Sequence, residues 1–245
     1  MTRILLLGGT SEAGAMARAL SDGDEDAIFS YAGRTAHPVA QPLLTRIGGF
    51  GGIEGLRLFL RGEGITHVID ATHPFASGMS RNAITATEAE GLALIALERP
   101  AWAEQPGDRW IRVPDYAAAA QALPGDGSAV FLAIGRQNLA GFAGLDHSWL
   151  LRFAEVAAHP LRDATLIASR GPFTVTGDIA LMQRHGIAHV VAKNAGGTAA
   201  EAKIGAARAL GLPVVMIDRP ALPERRSVAT VAEVMHWLHG TLRGV

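Results

Sequence analysis

The chain has 245 residues, 49% hydrophobic but only 6% aromatic, so its core is built mainly from Leu, Val, Ile and Ala, the palette of packed helices and buried parallel strands rather than of an all-β sandwich. Lys and Arg number 22 against 23 Asp and Glu, which excludes the general positive field that non-specific nucleic-acid binding needs. The absence of cysteine excludes disulfides, thiolate metal sites and cysteine nucleophiles.

Short apolar runs alternate with helix-length segments from the start. Ile4–Leu7 predicts a buried strand, Glu12–Leu20 a helix, Ala27–Tyr31 a strand, and Ile53–Arg61 a helix closed by Gly62 and Gly64. Ile65–Ile69 continues as a strand, Ser77–Glu90 as a helix ended by Gly91, and Leu92–Leu97 as a strand. At Arg99-Pro100-Ala101-Trp102 the pattern breaks, and it resumes at Trp110–Val113. Beyond the break we read a helix at Tyr116–Leu123 and strands at Ala129–Ile134, Leu150–Ala154 and Leu166–Ser169. A helix at Val175–His185, a strand at His189–Ala192, a helix at Ala199–Leu210, a strand at Val214–Ile217 and a helix at Val231–Leu242 complete the series.

A βαβ series with right-handed crossovers predicts α/β architecture: two Rossmann-like parallel-sheet units, residues 1–100 and 112–245, with a ligand cleft between them. No run approaches the ~18 apolar residues of a membrane span, and the first apolar stretch is too short for a signal peptide, so a cytoplasmic protein without a membrane partner is expected.

Gly8-Gly9-Thr10-Ser11-Glu12-Ala13-Gly14 follows the first strand and opens the first helix. The glycines allow a tight turn, Ser11 is the expected helix cap, and the backbone N–H groups there form an anion site suited to a phosphate. The match to the dinucleotide fingerprint is partial, because Thr10 stands where its second glycine belongs. An NAD site ends its second strand with Asp or Glu, whereas Tyr31-Ala32-Gly33-Arg34-Thr35 supplies a cation and a hydroxyl, which predicts NADPH. Gly48-Gly49, ahead of the Ile53–Arg61 helix, lets the backbone approach the adenosine. Thr72 and His73, within Asp70-Ala71-Thr72-His73-Pro74-Phe75-Ala76, face the ribose or nicotinamide.

Gly9-Thr10-Ser11-Glu12-Ala13 also fits a loose nucleophile elbow, but only three residues precede the strand, which leaves no upstream strands or oxyanion loop. A Tyr-x-x-x-Lys dehydrogenase pair cannot be drawn from Tyr31, Tyr116, Lys193 and Lys203. His185 with His189, and His236 with His239, have spacings that can present two metal ligands, yet Gly186 interrupts the first pair and the second lies on a terminal helix with Glu233 as its one nearby carboxylate, so no metal is expected.

Residues 1–98 carry 7 basic and 11 acidic side chains and residues 99–245 carry 15 and 12, so positive charge gathers in the second half. Gly135-Arg136-Gln137, Ser169-Arg170-Gly171-Pro172-Phe173 and Lys193-Asn194-Ala195-Gly196-Gly197 each follow a predicted strand, and together they would make a receptor for a polyanion.

Taken with Glu98-Arg99-Pro100-x-Trp102, this ordered set of motifs, running from residue 4 to about 220, resembles the precorrin-6A reductase family. The resemblance implies NADPH-dependent reduction of a double bond in a polycarboxylate tetrapyrrole of cobalamin biosynthesis, with transient contact to neighbouring pathway enzymes. It puts the cofactor on Gly9, Thr10, Ser11, Glu12, Arg34, Thr35, Gly49, Thr72 and His73. It puts the macrocycle on Arg99, Trp102, Arg136, Gln137, Arg170, Phe173, Lys193 and Lys203, with Lys193 and His73 as the first candidates for proton donor. The cobalt-containing version of the same reduction, and a nucleotide- or anion-binding regulator without chemistry, remain open alternatives.

Overall fold

The computed structural model describes residues 2–33, 39–156 and 158–242. The chain divides into two compact units, the first made of Met1–Pro100 and Ala221–Val245, the second of Ala101–Pro220. Among the described residues, no helix is long and apolar enough to cross a membrane.

In the first unit β1 (Ile4–Leu7), α1 (Ser11–Asp22), β2 (Ala27–Tyr31), β3 (Leu44–Ile47), α2 (Gly52–Gly62), β4 (His67–Asp70), α3 (Ser77–Glu90) and β5 (Ala93–Leu97) follow in order. In the second come β6 (Trp110–Val113), α4 (Tyr116–Gln121), β7 (Gly127–Ala133), a 3-10 helix (Arg136–Phe142), β8 (His147–Phe153), β9 (Ala164–Ala168), α5 (Val175–Arg184), β10 (Ile187–Lys193), α6 (Ala202–Ala209) and β11 (Val214–Ile217). The chain then returns to the first unit with β12 (Ser227–Val228) and α7 (Val231–Leu242).

Each unit holds one six-stranded sheet, ordered β12-β5-β4-β1-β2-β3 and β6-β11-β10-β7-β8-β9, with every pairing parallel. Both follow the doubly wound nucleotide-binding order. The sixth strand of each comes from an unexpected part of the chain: β6 follows β5 but pairs with β11, and β12 follows β11 but pairs with β5.

The expected span of 112–245 for the second unit is therefore corrected at both ends. The physical reason lies in α7, whose Val234, Trp237 and Leu238 are buried against Ala13, Met16, Ala17 and Leu20 of α1. Each such large apolar side chain gives about 1.5–3 kcal/mol on burial, enough to hold the helix on this face. A complete capping box starts it: the Glu233 Oε2 accepts from the Thr230 N and Oγ1 at 2.9 and 2.6 Å, and the Glu233 N donates to the Thr230 Oγ1 at 3.3 Å. The redrawn units carry 11 basic and 13 acidic, and 11 basic and 10 acidic residues, so the charge asymmetry is smaller than a simple cut at residue 98 suggests.

Strand β1 is wholly buried, and its alternate side chains serve the two faces of the sheet. Ile4 and Leu6 join the α1 and α7 layer, while Leu5 and Leu7 pack with Leu56 and Leu60 of α2 and Ala83 and Ala86 of α3. In the second unit Phe131, Leu150, Val190 and Met216 meet Met182 of α5 and Ile204 of α6. Parallel strands point all their carboxyl ends to one edge of each sheet, where the loops that bear the sequence motifs emerge.

Candidate functional site

In the first unit a cavity of about 200 Å³ opens beyond the ends of β1, β2 and β4, lined by Gly8, Gly9, Tyr31, Gly33, Thr72 and His73 among others. Gly8 is required by packing, since a Cβ there would lie 2.1 Å from the Phe29 ring. Gly9 has φ +128°, and a Cβ added to it would meet nothing within 4 Å, so an open cradle lies over this turn.

Thr10, not Ser11, caps α1. Its Oγ1 accepts from the Ala13 N at 3.0 Å and donates to the Ala71 O at 2.8 Å, tying the glycine turn to the loop after β4. That second bond, to a residue 61 positions away, is what favours Thr10, and Ser11 becomes the first helical residue with its Oγ on the Glu12 Oε2 at 3.0 Å. Glu12 is ion-paired to Arg99 at 2.9 Å. Burial alone would raise the Glu12 carboxyl, but its backbone hydrogen bond and the Arg99 guanidinium outweigh that and hold it below the usual carboxylate range. The pairing offsets a negative charge that would otherwise repel a phosphate at the α1 N-terminus. It also gives Arg99, expected among the macrocycle cations, a partner in the first unit.

Thr72 turns back on Asp70, whose Oδ1 accepts from the Thr72 N at 3.1 Å and Oγ1 at 2.7 Å. The His73 Nδ1 accepts from the Phe75 N at 3.1 Å, which leaves the proton of a neutral ring on Nε2. Gly49 presents its carbonyl to the Arg46 Nη2 at 3.1 Å, while the Arg46 Nη1 holds the Ser30 Oγ and the Gly48 O at 2.8 and 2.9 Å. Arg34 and Thr35 lie outside the described residues.

Sequence reasoning missed the buried network at the ends of β4 and β5. Arg225 pairs with Asp70 and donates to the Glu98 Oε2 at 2.8 Å, with the Asp70 side chain 1% exposed. Arg81 donates to the Ala221 O at 2.7 Å, so two arginines hold the returning segment to the first unit. An isolated charge flanked by apolar strand residues, as Asp70 is after Val68-Ile69, is the one signal that pointed to it.

In the second unit Arg136, Arg170 and Lys193 sit after β7, after β9 and at the end of β10, on the carboxyl edge of one sheet. Arg136 and Gln137 are exposed at the start of the 3-10 helix, and Arg170 donates to the Glu155 Oε1 at 2.6 Å. Asn194 is buried and clamps the backbone of Trp102: its Oδ1 accepts from the Trp102 N at 2.7 Å and its Nδ2 donates to the Trp102 O at 3.0 Å. The Trp102 Nε1 donates to the Gly197 O at 2.9 Å. The Lys193–Gly197 motif thus anchors the segment that enters the second unit. Lys203 is buried rather than displayed, with its Nζ on the Ala200 O at 2.5 Å and 5.2 Å from the Trp102 ring. Burial, then the Arg152 charge, lowers its pKa to about 8.

Phe173 stacks on a residue absent from the sequence-derived set. The Arg152 guanidinium lies 3.7 Å from the Phe173 ring centroid and is held by Asp178 at 2.5 and 3.1 Å. Among the described residues no group of three or more His, Asp or Glu side chains gathers as a metal site.

A nicotinamide dinucleotide fits the first unit: the cradle over Gly9, the exposed start of α1 and the offset charge of Glu12 suit its phosphates, and Thr72 and His73 line the adjoining cavity. Fold and site together define a two-unit α/β protein of the dinucleotide-binding class. Residues 3–239 match the family model described as Precorrin-6x reductase CbiJ/CobK. The chain is 57% identical to the precorrin-6A reductase of Rhodobacter capsulatus over the full length of both proteins. It is 46% identical to that of Rhodococcus erythropolis over 99% of each, and 29% identical to the cobalt-precorrin-6A reductase of Priestia megaterium over 96% and 97%. A solved structure titled CobK precorrin-6A reductase superposes with TM-score 0.92 at 56% identity, covering 98% of this chain and 97% of the other. This chain belongs to the precorrin-6x reductase family, and is an oxidoreductase that works with a reduced nicotinamide cofactor. The resemblance drawn from the ordered motifs is borne out.

Proposed function

We propose that this protein reduces one double bond of precorrin-6A to give precorrin-6B in cobalamin biosynthesis, with NADPH as reductant. The observation that carries the reading is the open glycine cradle beside the cavity at Thr72 and His73, in a chain whose full-length relatives are named precorrin-6A reductases. The higher identity to those relatives than to the cobalt-precorrin reductase favours the metal-free macrocycle.

NADPH rather than NADH is supported by the end of β2, where Tyr31-Ala32-Gly33 offers no carboxylate to a ribose hydroxyl and Arg34-Thr35 follow in sequence. Bound there, the cofactor supplies the hydride, and a proton completes the two-electron reduction. The backbone N–H groups around Gly9 and the start of α1 hold its phosphates, Gly49 borders the adenosine, and Thr72 and His73 orient the reactive end. Arg136, Gln137, Arg170 and Lys193 serve the substrate carboxylates, Arg99 adds a cation already balanced by Glu12, and Trp102 and Phe173 give apolar contact, while the buried Lys203 lies behind this edge and is withdrawn from the direct ligands. His73, through Nε2, and Lys193 are the proton donors to test first.

Cofactor oxidation followed at 340 nm should require the macrocycle and yield one reduced product per NADPH consumed. Binding of both ligands without turnover would make the protein a regulator and overturn this reading.

A further inference from the structure

We propose that the cavity beside Arg152 in the second unit is an anion subsite that receives one carboxylate arm of the substrate, with Phe173 as its apolar wall; this rests on the reading of that unit as host to a polycarboxylate macrocycle. About 300 Å³ lie open beyond β8 and β9, lined by Arg152, Ser169, Phe173, Thr174 and Asp178 among others. That volume suits a single acetate or propionate arm, whose methylenes lie on the ring while its oxygens meet the guanidinium.

The arginine is prepared for such a ligand. Its Cζ lies over the Phe173 ring, 3.7 Å from the centroid, and 5.1 Å from that of Phe131, and Asp178, 3% exposed, grips it through two N–H groups. A guanidinium has five N–H donors, so three are left for ligand oxygens, in an orientation that costs no further ordering on binding.

Burial, and then the Arg152 charge, brings Lys203 on α6 down to about 8, with Asp178 on α5 acting in the opposite direction and Lys193 of β10 in the same one. An anion entering beside Arg152 offsets part of that repulsion. The sequence hid this site because Arg152 lies inside an apolar strand and its partner 26 residues later on a helix.

Removing Arg152 alone would strand the buried Asp178 charge, so the test uses the paired variant Arg152→Met/Asp178→Leu, an apolar exchange of a kind that buried ion pairs tolerate. The expected result is a folded protein with an unchanged KM for NADPH and a KM for precorrin-6A raised about 10- to 100-fold, the loss of a charge-assisted hydrogen bond. In the wild type, saturation with the product precorrin-6B should move the Lys203 titration upward, read by NMR of labelled lysine, and the paired variant should lose this response. Should the paired variant fail to fold, Arg152→Lys keeps the charge, loses the fork and should still raise the macrocycle KM about tenfold. An unchanged macrocycle KM in a folded variant overturns the subsite while wild-type turnover leaves the reductase reading intact. Absence of turnover in the wild type overturns both.

Discussion

Lys203 gives a stability prediction whose sign and size both come from its surroundings. Its ammonium is buried near Arg152 and Lys193, and its pKa falls from 10.5 to about 8. At about 1.4 kcal/mol per pH unit, keeping it charged at pH 7 costs the folded state about 3 kcal/mol. The folded pKa lies below the unfolded one, so between about 8 and 10.5 the unfolded chain binds more protons and stability rises with pH. Lys203→Met removes the penalty and also the hydrogen bond to the Ala200 O, worth about 1 kcal/mol. The variant should therefore be about 2 kcal/mol more stable than the wild type at pH 7, and should lose that advantage as the pH approaches 10.5. Urea denaturation from pH 6.5 to 10.5, followed through Trp102, Trp110 and Trp149 of the second unit, measures the difference. Tyr116, raised by burial, is common to both proteins and drops out of the subtraction, and the same comparison in a Lys193→Met background removes the coupling of the two lysines. A gap that stays constant across this range would refute the reasoning.

Three further outcomes follow from the first unit. Gly8→Ala drives a Cβ to 2.1 Å from the Phe29 ring; it should cost about 1–3 kcal/mol in thermal unfolding and weaken cofactor binding, and an unperturbed variant would contradict the packing at the glycine turn. Arg225→Met leaves Asp70 buried without its cation and should cost about 3–5 kcal/mol, with proteolysis first appearing in residues 221–245; a melting temperature within a degree or two of wild type would show that the network does not hold this segment. Arg34→Ala should raise the KM for NADPH well above any change for NADH, and equal changes in steady-state kinetics would remove the basis for NADPH selection.

The sequence by itself determined the elements whose evidence is local. The Ser77–Glu90 and Val231–Leu242 helices and the Ala27–Tyr31 and Val214–Ile217 strands stand where the apolar periodicity put them, because each buries a continuous stripe or run. The glycine turn, the loop after β4 and the three cation-bearing loops were legible for the same reason: strand, turn and helix follow one another within a few residues. The tertiary structure decided what depends on distant partners. A two-residue strand such as β12 has no periodicity to read, and its membership in the first sheet is set by pairing with β5. Whether α7 covers the first or the second sheet cannot be told from its apolar stripe, which shows only that some core is waiting for it. Thr10 displaced Ser11 as cap through a bond to Ala71, and the Arg225–Asp70 and Arg152–Asp178 pairs join positions 155 and 26 residues apart. A buried charge is tolerated only where the fold brings its counter-charge, so these pairs come into existence with the packing that desolvates them.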